Sequence, residues 1–144
     1  MEAQRYPDDF DGIVAGNPAN DWTSFYAGAH LWYALATLRD RDSYIPREKL
    51  PLLASAVNSA CDAIDGLKDG VIDDPRLCNF DPSELICLNS DDSDNCLTPK
   101  QAQAVKSIWE GSRNSAGELI FPGLVPGGEN GPGGGWGTWV TGQE

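Results

Sequence analysis

Cys61-Asp62-Ala63-Ile64-Asp65-Gly66-Leu67-Lys68-Asp69-Gly70-Val71-Ile72-Asp73-Asp74-Pro75, closed three residues later by Cys78, is the stretch on which the reading of this 144-residue chain turns. It interleaves carboxylates with glycines between two cysteines. A hard cation such as calcium takes about six to eight oxygen ligands from carboxylates and backbone carbonyls. Asp62, Asp65 and Asp69 can offer side-chain oxygens, while Gly66 and Gly70 permit turns that bring the carbonyls of Leu67 and Val71 inward. The loop is not an EF-hand: aligned on Asp65, the third ligand position is Leu67 and the twelfth is Arg76, where that motif needs glutamate. An acidic, disulfide-tied turn without an ion explains the same residues. Composition leaves both readings open.

Outward from this loop the acidity continues. Asp62, Asp65, Asp69, Asp73, Asp74, Asp81, Glu84, Asp91, Asp92 and Asp94 face only Lys68 and Arg76 as local cations, in a chain of net charge −12. So much uncompensated charge costs self-repulsion. Asp91, Asp92 and Asp94 read as solvated surface, and the balance excludes a nucleic-acid partner, which requires a basic face. All four cysteines, Cys61, Cys78, Cys87 and Cys96, lie in this region. They form no Cys-x-x-Cys pair, and the only histidine is His30, so zinc is disfavoured and two disulfides are expected. Of three possible connectivities, Cys61–Cys78 with Cys87–Cys96 closes the shortest loops. Disulfides imply an oxidising compartment and hence a secreted protein. The opening residues contain no apolar core of a signal peptide, and no apolar run is long enough to span a membrane.

The remaining segments follow from periodicity and punctuation. Met1 to Tyr6 reads as the tail of a helix ended by Pro7. Phe10 to Gly16 reads as a strand, and the continuous apolar run Ile13-Val14-Ala15 is the pattern of one buried on both faces of a parallel sheet. Such a strand needs neighbours, which this chain does not supply. Asp21 suits the N-cap of a helix running to about Leu38. Its stripe of Trp22, Phe25, Tyr26, Ala29, Trp32, Tyr33 and Ala36 predicts core packing, with a ligand-facing aromatic wall as the alternative. His30 is expected to be structural. Pro46 and Pro51 suit the start of a helix carrying Leu53, Val57 and Cys61 on one side. Thr98 and Gln101 have capping-box spacing around Pro99, opening a helix with Val105, Ile108 and Trp109 on its apolar face and Gly111 as its stop. A short strand near Ile120 and a glycine-rich tail follow. With sixteen glycines and ten prolines, the chain should be loop-rich.

No nucleophile emerges from this inventory. Asn114-Ser115-Ala116-Gly117 is preceded by Arg113 and so lacks the leading glycine of Gly-x-Ser-x-Gly. The C-terminal glycines are not closed by Lys-Ser/Thr and make no phosphate loop. The chain by itself is expected to be catalytically inactive.

Two long segments, Met1 to Ala19 and Cys61 to Pro75, together with Phe121-Pro122-Gly123, Pro126-Gly127-Gly128-Glu129 and Trp136, resemble the tannase and feruloyl esterase family. The first resembles the segment just downstream of that family's nucleophile elbow, and the second its calcium loop. The resemblance spans essentially the whole chain. It implies an α/β fold comprising a strand of an α/β-hydrolase core and a mixed, loop-rich lid domain braced by disulfides and calcium. Residues 1–18 would be a remnant of the core and residues 19–144 an incomplete lid.

The same resemblance implies structural calcium on Asp62, Asp65, Leu67, Asp69 and Val71, and matches the pairing Cys61–Cys78 and Cys87–Cys96. It implies a secreted serine esterase of feruloyl or galloyl esters, acting on small phenolic esters or feruloylated polysaccharide. Its Ser–Asp–His triad would lie outside these residues; His30 does not match the triad histidine. Asp73 and Asp74 fall outside the implied ligand set and are expected at the surface or in a turn. The competing class is a non-catalytic, calcium-dependent module that binds carbohydrate or polyphenol.

Overall fold

Two amphipathic helices, α3 (Leu50–Cys61) and α4 (Pro99–Glu110), carry most of the core in this computed structural model, which describes residues 2–16, 18, 21–89 and 93–142. Chain order is a short α1 (Glu2–Arg5), a π-helical segment (Ser24–His30) running directly into α2 (Leu31–Leu38), then α3, α4, strands β1 (Ser112–Arg113) and β2 (Leu119–Phe121), and α5 (Gly135–Trp139). Single 3-10 turns fill several connections. The strands form one small antiparallel hairpin, pairing Ser112 with Phe121 and Arg113 with Leu119.

Local chemistry explains where α3 and α4 begin. Pro46 sets up a 3-10 turn (Arg47–Lys49) and Pro51 sits in the first turn of α3, where its missing N–H costs nothing. At α4 the predicted capping box is present. Gln101 N donates to Thr98 Oγ1 at 3.1 Å, and Thr98 N donates to Gln101 Oε1 at 2.9 Å. Gly111 ends the helix at φ 76°, as expected from sequence.

Leu50, Leu53, Val57 and Cys61 are buried along one side of α3, and Ala102, Val105 and Ile108 along α4. Ile45, Leu97, Tyr33, Trp136 and Val140 complete the cluster. Each fully buried aliphatic side chain contributes roughly 1.5–3 kcal/mol. Helix α2 is joined to α4 by a hydrogen bond from Trp32 Nε1 to the carbonyl of Ser107 at 2.9 Å. Gly28 lets the π-helical segment press on β2; a Cβ there would stand 2.8 Å from Phe121 Cβ.

Three expectations need correction. Phe10 to Gly16 forms no strand: it is irregular, with Ile13 64% and Val14 102% exposed. A strand exists through its ladder, and no partner strand stands beside it among the described residues. The aromatic stripe is core only in part. Ala29 and Tyr33 are buried, whereas Trp22, Phe25 and Tyr26 remain exposed. The helix itself starts as predicted, with Ser24 N donating to Asp21 Oδ1 at 3.3 Å, but it is wound as a π-helix through its aromatic segment. The expected mixed, loop-rich, disulfide-braced character is present as helices with one two-stranded sheet and two disulfides. Met1, the domain start expected at Ala19, and the surface acids Asp91 and Asp92 lie outside the described residues.

Candidate functional site

The acidic loop is anchored at both ends. Cys61 and Cys78 are disulfide-bonded with a Cα–Cα distance of 5.4 Å, and a second bond joins Cys87 to Cys96 at 5.0 Å. Among the open connectivities, the shortest-loop pairing is therefore the one present. The second bridge is supported by Leu97, whose N–H donates to Leu85 and whose carbonyl accepts from Cys87.

Asp62 is the pivot of the loop. Its N–H still belongs to the last turn of α3, donating to the Asn58 carbonyl at 2.9 Å. Its side chain, only 3% exposed, accepts at Oδ1 from Gly70 N at 2.8 Å and Asp69 N at 3.2 Å. Asn58 Nδ2 returns the contact by donating to the Gly70 carbonyl at 3.0 Å. Gly66 and Gly70 adopt φ of 95° and 85°, backbone that L side chains rarely enter.

The other predicted ligands sit on the outside of this fold. Asp65 Oδ1 accepts from Leu67 N at 2.8 Å, and Asp69 Oδ1 accepts from Val71 N at 3.0 Å. Leu67 and Val71 are exposed. The donor set therefore fits a hard cation in chemistry, being all oxygen on a loop closed by a disulfide. It is not gathered: among the described residues no three acidic, histidine or cysteine side chains converge on one point. Each carboxylate is instead engaged by backbone N–H groups, two residues on for Asp65 and Asp69 and across the loop for Asp62. Asp74 takes the turn role expected for it, capping Pro75–Leu77 and forming a two-pronged pair with Arg76 at 2.7 Å on each oxygen. The guanidinium hydrogen bonds hold its carboxyl below the usual range.

Sequence reasoning missed two buried charged residues. Lys49 is 1% exposed and donates to Gln101 Oε1 at 2.9 Å, while Gln101 Nε2 donates to the Tyr44 carbonyl at 2.9 Å. Glu129, fully buried, accepts from Gly127 N at 3.0 and 3.1 Å and from Trp109 Nε1 at 3.1 Å. Burial pushes its carboxyl up, and the N–H donors only partly offset this. Its carbonyl receives Trp136 N at 2.9 Å, so this one residue ties the glycine-rich tail to α4. The Pro126-Gly127-Gly128-Glu129 motif was the available signal, but nothing in it announces burial.

His30 lies among rings: Phe25 at 4.8 Å, Tyr26 at 5.2 Å, Tyr33 at 6.0 Å and Trp139 at 6.5 Å between centroids. A cleft of about 590 Å³ has Arg76, Phe80, Asp81, Lys106, Trp109 and Glu110 among its lining residues. It contains none of the predicted ligands. No helix of the described residues is long and apolar enough to cross a membrane.

Comparison with known proteins gives this geometry a context. The family model described as tannase and feruloyl esterase matches residues 1–144. An uncharacterized esterase of Xanthomonas campestris pv. campestris is 40% identical over 144 residues, covering 99% of this chain and 24% of that protein. A probable feruloyl esterase B-2 of Aspergillus flavus is 37% identical over 128 residues, covering 88% of this chain and 24% of the relative. Among solved structures, feruloyl esterase B from Aspergillus oryzae superposes with a TM-score of 0.78 at 28% identity, over 99% of this chain and 28% of that one. The chain thus spans about a quarter of the length of the curated relatives it matches.

Proposed function

The chain belongs to the tannase and feruloyl esterase family, and on that premise we propose that it is a segment of a secreted serine carboxylic ester hydrolase acting on feruloyl or galloyl esters of plant phenolics. The observation that carries this reading is the family match over residues 1–144, seconded by relatives named as esterases. Those names favour a hydrolase over a non-catalytic binding module. In the longer protein a serine outside these residues attacks the ester carbonyl, an acyl-enzyme forms, and water releases the acid. The 144 residues contribute a lid over that chemistry rather than the reacting groups. Two disulfides in a loop-rich chain favour an extracellular setting.

The proposal includes a structural calcium ion held by the side chains of Asp62, Asp65 and Asp69 and the carbonyls of Leu67 and Val71. Its support is the all-oxygen donor set, the local excess of carboxylates and the disulfide that closes the loop. The ion would supply charge neutralisation and loop rigidity, with no part in bond making. Asp62 would keep the loop folded onto α3 through Gly70 N, and Asp65 and Asp69 would turn toward the ion.

Expression of the extended reading frame, assayed on methyl ferulate and methyl gallate, tests the activity. Hydrolysis of either ester by the longer protein, and of neither by the 144-residue chain, is the expected result. Turnover by the 144 residues alone would overturn the assignment of the reacting groups to other segments. A longer protein inactive on both esters would overturn the substrate class.

A further inference from the structure

The cleft of about 590 Å³ stands apart from the predicted ligands of the acidic loop. Its floor is formed by two half-buried rings, Phe80 and Trp109, which meet edge to face at 6.5 Å. Both walls are stiff. One carries Pro75 and Pro82 on either side of the disulfide-bonded Cys78, and the other carries Pro122 and Pro126. Leu124 N fastens the second wall to α4 by donating to the Ile108 carbonyl at 3.1 Å, and Gly123 lies so close to the Trp109 carbonyl that no Cβ fits. The Trp109 ring is itself fixed, since its Nε1 donates to Glu129 at 3.1 Å. A concave site of this size, shaped before any ligand arrives, loses little ordering entropy on binding.

Exposed groups of both hydrogen-bonding senses surround this floor. Arg76, Lys106 and the Asn79 amide nitrogen donate, whereas Asp81, Glu110 and Asn79 Oδ1 accept. Their charges cancel: Arg76 and Lys106 stand against Asp81 and Glu110, in a chain whose net charge is −12. The cations are also partnered already, Arg76 by Asp74 and Lys106 by Glu110 at 4.0 Å. A charged ligand therefore gains no net attraction here. A phenolic ring would use the floor but has too few hydroxyls for the rim. Floor and rim together suit a ligand with apolar ring faces and many hydroxyls that both donate and accept. We infer that the cleft is a binding subsite for a neutral oligosaccharide, with a sugar ring seated on Phe80 and Trp109 and its hydroxyls bonded to Asn79, Asp81, Lys106 and Glu110. Taking that sugar chain as the carrier of the feruloyl group rests on the hydrolase reading; binding at the cleft does not.

Isothermal titration calorimetry with xylohexaose, arabinohexaose and galactohexaose tests it, on the 144-residue chain and on the protein from the extended reading frame. At least one of these neutral sugars should bind both proteins, and methyl ferulate should not displace it. Glu110→Ala and Lys106→Ala, both at exposed positions, should each weaken that binding roughly tenfold. Phe80→Ala should abolish it, with circular dichroism checking the fold, and Trp22→Ala, outside the cleft, should leave it unchanged. No binding of any of these sugars would overturn the inference. So would binding that survives both Glu110→Ala and Lys106→Ala, tighter binding of hexagalacturonate, or displacement of the sugar by methyl ferulate. Binding by the 144 residues that is lost in the longer protein would overturn it too, since polypeptide would then fill the cleft. Ester hydrolysis by the longer protein is scored separately. Hydrolysis without sugar binding sinks the subsite alone, and sugar binding without hydrolysis sinks the esterase reading alone.

Discussion

Substituting Asp62 by alanine and by asparagine separates the two roles open to the acidic loop. The carboxylate is almost fully buried and accepts from Gly70 N at 2.8 Å and Asp69 N at 3.2 Å. A hydrogen bond to a charged acceptor contributes about 1.5–3 kcal/mol. Asp69 and Gly70 are themselves exposed, so water can satisfy part of what Asp62→Ala removes. The expected loss for alanine is therefore about 2–3 kcal/mol, at or just below the bottom of the roughly 3–6 kcal/mol that two such bonds would give without water. Asp62→Asn keeps an oxygen for both donors and should cost under about 1 kcal/mol in chelator. Calcium then discriminates. A bound ion stabilises the native chain by about 2.7 kcal/mol at one hundred times its Kd. The unsubstituted chain should show such a gain, and Asp62→Asn should lose most of it because the amide lacks charge. Urea unfolding in EGTA and in millimolar calcium measures all of these differences. Asparagine as damaging as alanine in EGTA refutes the turn-acceptor role. An undiminished calcium gain in Asp62→Asn refutes Asp62 as a ligand, and no gain in the unsubstituted chain refutes calcium.

Other parts of the fold make further expectations. Replacing Cys61 and Cys78 together by alanine should lower stability by about 3 kcal/mol, from chain entropy alone, because the bridge spans a sequence separation of 17. The Cys87–Cys96 bridge spans only 9 residues and its removal should cost somewhat less; denaturant midpoints of the two double variants give the order directly. Glu129 binds its proton more tightly folded than unfolded, so its favourable contribution is complete below the ordinary glutamate value of 4.5 and fades as pH rises through the raised value. Melting temperatures of the parent and Glu129→Gln across that window should diverge with rising pH, the amide variant holding steadier; parallel curves would refute the burial argument. Thr98→Ala removes the acceptor for Gln101 N and should cost about 1 kcal/mol in thermal unfolding.

How much of this was legible beforehand depends on the range of the forces involved. Helices α3 and α4 were readable because proline, the Thr98–Gln101 box and three- and four-residue spacing act within a turn or two. The disulfides were readable because short loops close at the least entropic cost. Lys49 and Glu129 were not. Their burial depends on Gln101, 52 residues away, and on Trp109, 20 residues away, and no local pattern encodes either meeting. The stripe from Trp22 to Ala36 showed its period but not which part of it faces solvent. Ile13-Val14-Ala15 carries the composition of a buried strand, yet a strand is a property of pairs, and these residues have no partner strand among the described residues. At the loop, residue types pointed to a cation, whereas the hydrogen bonds of Asp62, Asp65 and Asp69 to nearby N–H groups depend on dihedral angles that sequence does not reveal.

Asp62 belongs to two structures at once, since its N–H closes the last turn of α3 and its carboxylate holds Gly70. Helix and loop are thus geared together: the loop cannot swing away without loading the hinge at which the helix ends. One turn earlier on the same helix, Val57 lies fully enclosed in the core. Events at the acidic rim should therefore register in the slow amide exchange of α3, giving the interior a report on the state of its surface loop.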